Sequence, residues 1–299
     1  MGYRPIRWAF NYSLWTPTRE EWLFASRCVQ AEERCRIGSF YYARDAKASM
    51  VGRLLLRKCV AESLSFPYEQ LQLGRDENNR PVLLSSKGRN TSFDFNVSHQ
   101  GDFSVIAADN SEKVGVDVMK IEYSGGKTIS EFFRVMHRQF TASEWSFIEQ
   151  PGTEWERLSR FYRLWVRSNM VLFSVQKIGC LQCLKEGFVK AEGIGLGMDL
   201  QRLSFSCSSP KLQEGVITCD TKLFVDGTVL HDWQFQETLL DTKHCICTAV
   251  WLKDYADTKD VPAFRTLTFQ ELVSSAVPLA DESGVETWSS FAAKPLQPG

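Results

Sequence analysis

Apolar residues recur along the chain in two rhythms, and the changes between them mark out its elements. Trp22, Ala25, Cys28 and Val29 fall at helical spacing, which predicts a helix over Thr18 to Cys35. Thr18 stands as its N-cap, with Glu21 three residues on to close a capping box. A second helix, from about Asp45 to Leu64, carries Ala48, Val51, Leu55, Cys59 and Val60 on one stripe and stops at Ser65-Phe-Pro67. Leu71 to Leu73 and Val82 to Leu84 flank the polar turn Gly74 to Arg80, the pattern of a hairpin. Phe93 to Val97 alternates as a strand, and Phe103 to Ala108 and Val114 to Val118 follow as two more.

The second half repeats this order loosely, without a strict internal repeat. Helical stretches fall near Ile129 to Arg138, Ser143 to Gln150 and Glu154 to Trp165. Strands follow near Leu200 to Ser206, Lys222 to Val225, Trp233 to Glu237 and Cys245 to Leu252. Beyond Lys253 the chain is rich in Asp, Lys and Ser, with one short apolar stretch from Phe264 to Val277. Helices and strands are segregated within each half, which favours an α+β fold over a doubly wound parallel sheet.

Composition narrows the function classes. The chain has 299 residues, 43% hydrophobic and 12% aromatic, enough for a sizeable core. A formal net charge of −1 gives no global basic field, so a nucleic-acid partner is not expected and any polyanion site must be a local cluster of Arg and Lys. Met1 to Phe10 carries charges but no apolar h-region, and no apolar run reaches the length of a membrane span. Nine cysteines without framework spacing suit a reducing cytosol.

Three clusters stand out as candidate chemistry. Phe95-Asn-Val-Ser-His99 brings polar groups to the end of an alternating strand; Gly115-Val-Asp117 sets an acid inside a β-branched run; Leu184-Lys-Glu186 precedes Lys190 at helical spacing. Singly, each also has an ordinary structural reading. His99 alone is as consistent with a turn cap as with a ligand. Glu186 and Lys190 form an i,i+4 pair of the kind found on any exposed helix, worth about 0.3–0.5 kcal/mol. Asp117 is more telling, because a charge among apolar strand residues is costly unless it is paired or metal-bound.

Together and in this order, F-N-[IV]-S-H, G-[IV]-D and W-x-x-K-E-x-x-x-K, the chain resembles the 4′-phosphopantetheinyl transferases. Ile37 to Leu54, Ala191 to Leu203 and Leu272 to Pro278 look like animal members of that family. The resemblance implies a pseudo-dimer of two similar α+β halves, with coenzyme A as co-substrate in the cleft between them. It implies that Arg36 contacts the nucleotide and that Arg75 to Arg80 (with Asp76, Glu77, Asn78 and Asn79 between them) form the loop over the adenosine. Asp76 to Asn79 depart from the more basic family loop, which leaves backbone contacts as their expected role. Asn96, Val97, Ser98 and His99 match the segment holding the 3′-phosphate; Asp117 and Glu186 match two Mg²⁺ ligands, and Lys190 the lysine on the pyrophosphate. Bacterial members carry a third acid where this chain has Met119, as animal members do, so a water is expected there. Glu186 is also the expected acceptor of the serine proton, which makes Glu186, Lys190 and Asp117 the catalytic set.

One feature departs from the family pattern. The family places one residue between the tryptophan and Leu-Lys-Glu; here Val166 to Cys183 intervene. With Val166 to Gln182 removed, Leu158, Tyr162, Trp165, Glu186 and Lys190 fall on one helical line. Seventeen extra residues at about 100° each would turn that line by roughly 100°, so residues 166–182 either loop out or disrupt the site. Codons for Val-Arg and Gln at the two ends are compatible with intron boundaries, which predicts a transcript lacking them. Cys180-Leu-Gln-Cys183 is a lone C-x-x-C without a second pair for zinc. Gly193 to Gly197 follows a helix, so it reads as a C-cap and turn and not as a dinucleotide loop.

The expected organisation is residues 1–111 with the nucleotide contacts, 112–265 with the Mg²⁺ site and catalytic helix, and a tail from 266 to 299. The expected function is holo-[acyl-carrier-protein] synthase activity on apo carrier domains of the fatty acid synthase or aminoadipate-semialdehyde dehydrogenase type, by a cytosolic monomer. The alternative is a coenzyme A or carrier-binding protein whose catalysis the insertion has impaired.

Overall fold

A computed structural model of the chain describes residues 4–84, 93–123, 126, 128–164, 184–193, 202–253, 261–280 and 285–296. The first part contains β1 (Ile6–Asn11), α1 (Arg19–Arg27), α2 (Ala31–Gly38), α3 (Ala43–Leu64), β2 (Leu73–Arg75), β3 (Pro81–Leu83), β4 (Asp94–Gln100) and β5 (Phe103–Asp109). Then come β6 (Val114–Lys120), α4 (Ile129–Met136), α5 (Ala142–Ile148), α6 (Glu154–Leu164), α7 (Leu184–Glu192), β7 (Leu203–Cys207), β8 (Thr218–Val225), β9 (Thr228–Asp241) and β10 (His244–Trp251). β11 (Arg265–Thr266), α8 (Phe269–Leu272) and α9 (Val285–Ala292) complete the order. The α+β class expected from the sequence is what the chain adopts. Among the described residues, five helices, α1, α4, α5, α6 and α8, begin with complete capping boxes, from Thr18–Glu21, Thr128–Glu131, Thr141–Glu144, Thr153–Glu156 and Thr268–Glu271.

Two compact units form. The first comprises residues 1–91, 97–110 and 264–299, the second residues 92–96 and 111–263. In the first, a sheet runs β11-β1-β5-β4, with β1 antiparallel to β5 and parallel to β11. Helix α3 is buried nearly all round, so its apolar surface is wider than the single stripe read from the sequence, and Met50, Val51, Leu54, Leu55 and Cys59 are essentially inaccessible. It ends at Ser65 in the left-handed region, φ 48°. The tail belongs to this unit: Trp22 stacks on Phe291 with ring centroids 3.7 Å apart, and Trp15 on Phe269 at 5.2 Å.

The single helix predicted over Thr18 to Cys35 is two, α1 and α2. Gln30 is extended there (φ −63°, ψ 152°), and its side-chain amide pairs with both backbone groups of Leu73, at 2.9 and 3.1 Å. Satisfying the edge of β2 requires the chain to leave the helix, a tertiary demand that local periodicity does not carry. The hairpin β2–β3 forms as predicted, antiparallel with Leu73 opposite Leu83.

In the second unit the sheet is antiparallel, in the order β6-β10-β9-β8-β7. Its core is aromatic, with Phe133 stacked on Phe161 at 5.0 Å and Trp145, Phe140 and Phe188 close by. Within this core Arg163 makes a two-pronged ion pair with Glu237 at 2.6 and 2.7 Å, and Thr221 donates to the same carboxylate. Helix α7 packs on β6 and β10, and Gly193 closes it with φ 68°, its N–H donating to Val189 O at 3.0 Å. That is the C-cap expected of Gly193; residues 194–197 lie outside the described residues, as do Trp165, the insertion and Cys180 and Cys183.

Candidate active site

The site is built where α7 lies on β6. A Cβ on Gly115 would stand 1.9 Å from Gly187 O and 2.6 Å from Ala191 N. Only a hydrogen fits there, so strand and helix backbones meet directly at the glycine two residues before Asp117. Gly115, Asp117 and Met119 share a face by strand alternation. Met119 is fully buried in the core.

Asp117 is 6% exposed. Its Oδ1 accepts from Lys190 Nζ at 2.6 Å, and the same ammonium lies 4.0 Å from Glu186 Oε1 and 3.4 Å from Val116 O. Acids remote in sequence are thereby gathered around one cationic nitrogen. Glu186 and Lys190 are about one-quarter accessible, so the cluster faces solvent on one side. Two carboxylates are hard oxygen donors of the kind Mg²⁺ takes, one or two at a time, with the remaining positions filled by phosphate and water. Among the described residues no group of three or more His, Cys, Asp and Glu forms. Asp117 and Glu186 would supply two such oxygen donors, which a phosphate and waters would have to complete, and do not by themselves make an all-protein cage.

The start of β6 is fixed by β4. Asp94 Oδ2 accepts from Val114 N at 2.6 Å, and the buried Asn96 accepts through Oδ1 from Val116 N at 3.1 Å. Asn96 thus holds the residue preceding Asp117. Beyond it on β4, Val97 is half-buried, Ser98 buried and His99 exposed.

In the first unit, three arginines surround Glu33. Arg36 donates to Oε2 at 2.7 Å, Arg75 to Oε1 at 3.1 Å, and Arg53 lies 3.4 Å from Oε1. Arg36 also donates to Ser49 Oγ at 2.6 Å, and Arg75 to Asn79 O at 3.1 Å. Burial pulls Arg53 down to about 10; Glu33 opposes this while Arg75 and Arg36 add to it, so it stays charged at neutral pH. Burial alone would raise Glu33, but Arg53, Arg36 and Arg75 outweigh it and hold the carboxyl below the ordinary glutamate value. Three guanidiniums on one carboxylate leave an excess of positive charge, suited to phosphate. The adjoining loop is self-supporting: Asp76 Oδ1 accepts from Asn78 N and Arg80 N, both at 2.9 Å, and Asn79 takes φ 62°. Asp76 thus spends its carboxylate on loop amides, while Glu77, Asn78 and Asn79 are exposed.

Sequence reading missed Glu33 and Arg53. The Glu33–Arg36 spacing was visible as an i,i+3 pair, but nothing local marks Arg53 on a helix buried on all sides. It also missed Asn96 as a support for β6 and the partner of Lys185. That lysine is fully buried against Glu144, 3.1 Å away.

A family model described as 4′-phosphopantetheinyl transferase, N-terminal, matches residues 13–111. The L-aminoadipate-semialdehyde dehydrogenase-phosphopantetheinyl transferase of Homo sapiens is 42% identical over 297 residues, covering 96% of this chain and 90% of that protein. The protein of the same name from Xenopus laevis is 41% identical, covering 97% and 92%. A 4′-phosphopantetheinyl transferase of Bacillus subtilis is 28% identical over 176 residues, covering 59% of this chain and 65% of that protein.

Proposed function

Since this chain belongs to the 4′-phosphopantetheinyl transferase family, we propose that it moves the phosphopantetheine arm of coenzyme A onto a serine of an apo carrier protein, releasing adenosine 3′,5′-bisphosphate. The observation that carries this reading is the meeting of Asp117, Glu186 and Lys190 around one nitrogen. In the proposed reaction the serine oxygen bonds to the β-phosphorus as the bond from that phosphorus to the bridging oxygen breaks. Lys190 neutralises charge gathering on the diphosphate, and Glu186 receives the serine proton. Asp117 and Glu186 would hold Mg²⁺, which when bound supplies further charge stabilisation at the phosphates. Little covalent chemistry falls to the protein; positioning and electrostatics carry most of the acceleration.

Residues of the first unit, Arg36, Arg75 to Arg80 and Val97 to His99, are assigned to the nucleotide end of coenzyme A. The cationic cluster on Glu33 supports that assignment. We assign the carriers to the fatty acid synthase and aminoadipate-semialdehyde dehydrogenase type, the fold to a pseudo-dimer, and the working form to a cytosolic monomer. Among the described residues no helix is long and apolar enough to cross a membrane. The alternative, a coenzyme A or carrier binder disabled by its insertion, requires the two acids to be parted. Their shared reach to Lys190 weighs against it.

Incubating the protein with coenzyme A, Mg²⁺ and apo-carrier and weighing the carrier tests the reading. A carrier heavier by one phosphopantetheine supports it; an unchanged carrier with coenzyme A still bound favours the impaired alternative.

A further inference from the structure

Helix α7 is tied into the second unit at both ends. Near its C-terminus Glu192 pairs with Lys113 at 2.8 Å. At its start Lys185 donates to Glu144 Oε2 at 3.1 Å, with both side chains wholly inaccessible. We propose that the Lys185–Glu144 ion pair is a positioning device that sets the register of α7, and so the placement of Glu186 against Asp117, independently of the length of chain joining α6 to α7.

A buried ion pair is a costly feature of a core, because both charges leave water. Replacing one with apolar residues of like size is often neutral or stabilising, so stability does not account for it; register is the best-attested use of such a pair. An apolar side chain in this core would be satisfied at many depths, whereas an ammonium must meet its carboxylate.

Glu144 is a fixed target. Thr141 donates to its Oε2 from the backbone at 2.9 Å and from Oγ1 at 3.2 Å, and Phe205 N donates to Oε1 at 3.2 Å. The carboxylate is thus pinned by the N-cap of α5 and by β7. Lys185 immediately precedes Glu186, and helical neighbours differ by about 100° and about 1.5 Å of rise. Docking Lys185 inward therefore fixes both the azimuth and the height of Glu186. A slide of one residue would carry Glu186 away from Asp117.

That device matters in this chain because residues 166–182 lengthen the α6-to-α7 connection by an amount that is no whole number of turns. Phase inherited from α6 would not bring Glu186 to β6. The bonds that do so lie within α7 and its partners: Lys185 to Glu144, the bare contact at Gly115, and Glu192 to Lys113.

The inference rests on Glu186 being the reacting acid of the proposed transferase, and its test reads α7 directly as well as activity. The double variant Lys185→Met/Glu144→Gln removes both charges and keeps similar volumes; Lys185→Met alone leaves Glu144 buried and unpaired and serves only where it folds. In the full-length double variant, hydrogen exchange of the α7 amides is expected to rise about tenfold while α3 stays protected. Turnover is expected to fall about 10- to 100-fold with the KM for coenzyme A within about threefold. A folded double variant with parental α7 exchange and parental kcat overturns the proposal, as does a loss of thermal stability with kcat per folded molecule unchanged. If the parent protein transfers no phosphopantetheine, the transferase reading fails, and the exchange measurement still decides whether the ion pair sets α7.

Discussion

A methyl group on Gly115 would stand 1.9 Å from the carbonyl oxygen of Gly187, so the strand bearing Asp117 and the helix bearing Glu186 touch without a side chain between them. The obstacle is backbone, which cannot swing aside as a flexible side chain would. Gly115→Ala is expected to push α7 off β6 by an ångström or more and lower kcat about 10²-fold. Unfolding in denaturant should register a loss of roughly 1–3 kcal/mol. Full activity in this variant would mean that the acids need not be held at this contact.

Divalent metal should be required. Treatment with a chelator is expected to abolish transfer, and excess Mg²⁺ to restore it. Asp117→Asn should cut kcat/KM about 10²-fold or more and raise the Mg²⁺ concentration needed for half-maximal rate, read from the rate of carrier mass gain. Glu186→Gln retaining full turnover would remove that residue from the proton-transfer role.

Acid should release the arginine cluster. Glu33 ionises more readily in the folded protein than in the unfolded chain, because Arg53, Arg36 and Arg75 outweigh the effect of burial. Its contribution to stability is therefore present above the unfolded value of about 4.3 and is lost as pH falls through the lower folded value. Melting temperatures from pH 6 down to pH 3 should fall less steeply for Glu33→Gln than for the parent. The same variant is expected to raise the KM for coenzyme A about tenfold as the three guanidiniums repel one another.

Deleting residues 166–182 joins Trp165 to Cys183 and restores the family spacing. Because α7 is held by its own partners, kcat of the shortened chain is expected to lie within about threefold of the full-length value. Sequencing the transcript tests separately whether a message lacking this segment exists.

Arg163 and Glu237 are buried, and their side-chain hydrogen bonds run to each other, to Ser209 O and to Thr221, and not to the candidate catalytic residues. Glu237→Gln leaves the buried Arg163 guanidinium with only the more distant Asp220 carboxylate, 3.8 Å away, and should cost about 3 kcal/mol in equilibrium unfolding. The KM for coenzyme A should not change in the fraction that remains folded.

Much of this was legible in the residues alone. The capping box at Thr18, the stripe on α3, the hairpin about Gly74 to Arg80 and the alternation of β4 are local signals, set by the 3.6- and two-residue periods and by turn chemistry. The ordered motifs singled out Asp117, Glu186 and Lys190 as candidates through the family resemblance, and the fold brings the three side chains together at Lys190 Nζ. Tertiary structure decided which long-range partner each residue found. Gln30 broke a helix to satisfy Leu73, Glu33 gathered three arginines from α2, α3 and β2, Asn96 took up Val116, and Lys185 met Glu144. Such pairings join residues remote along the chain, where desolvation and close packing select the partner, and no periodicity in the sequence records that choice.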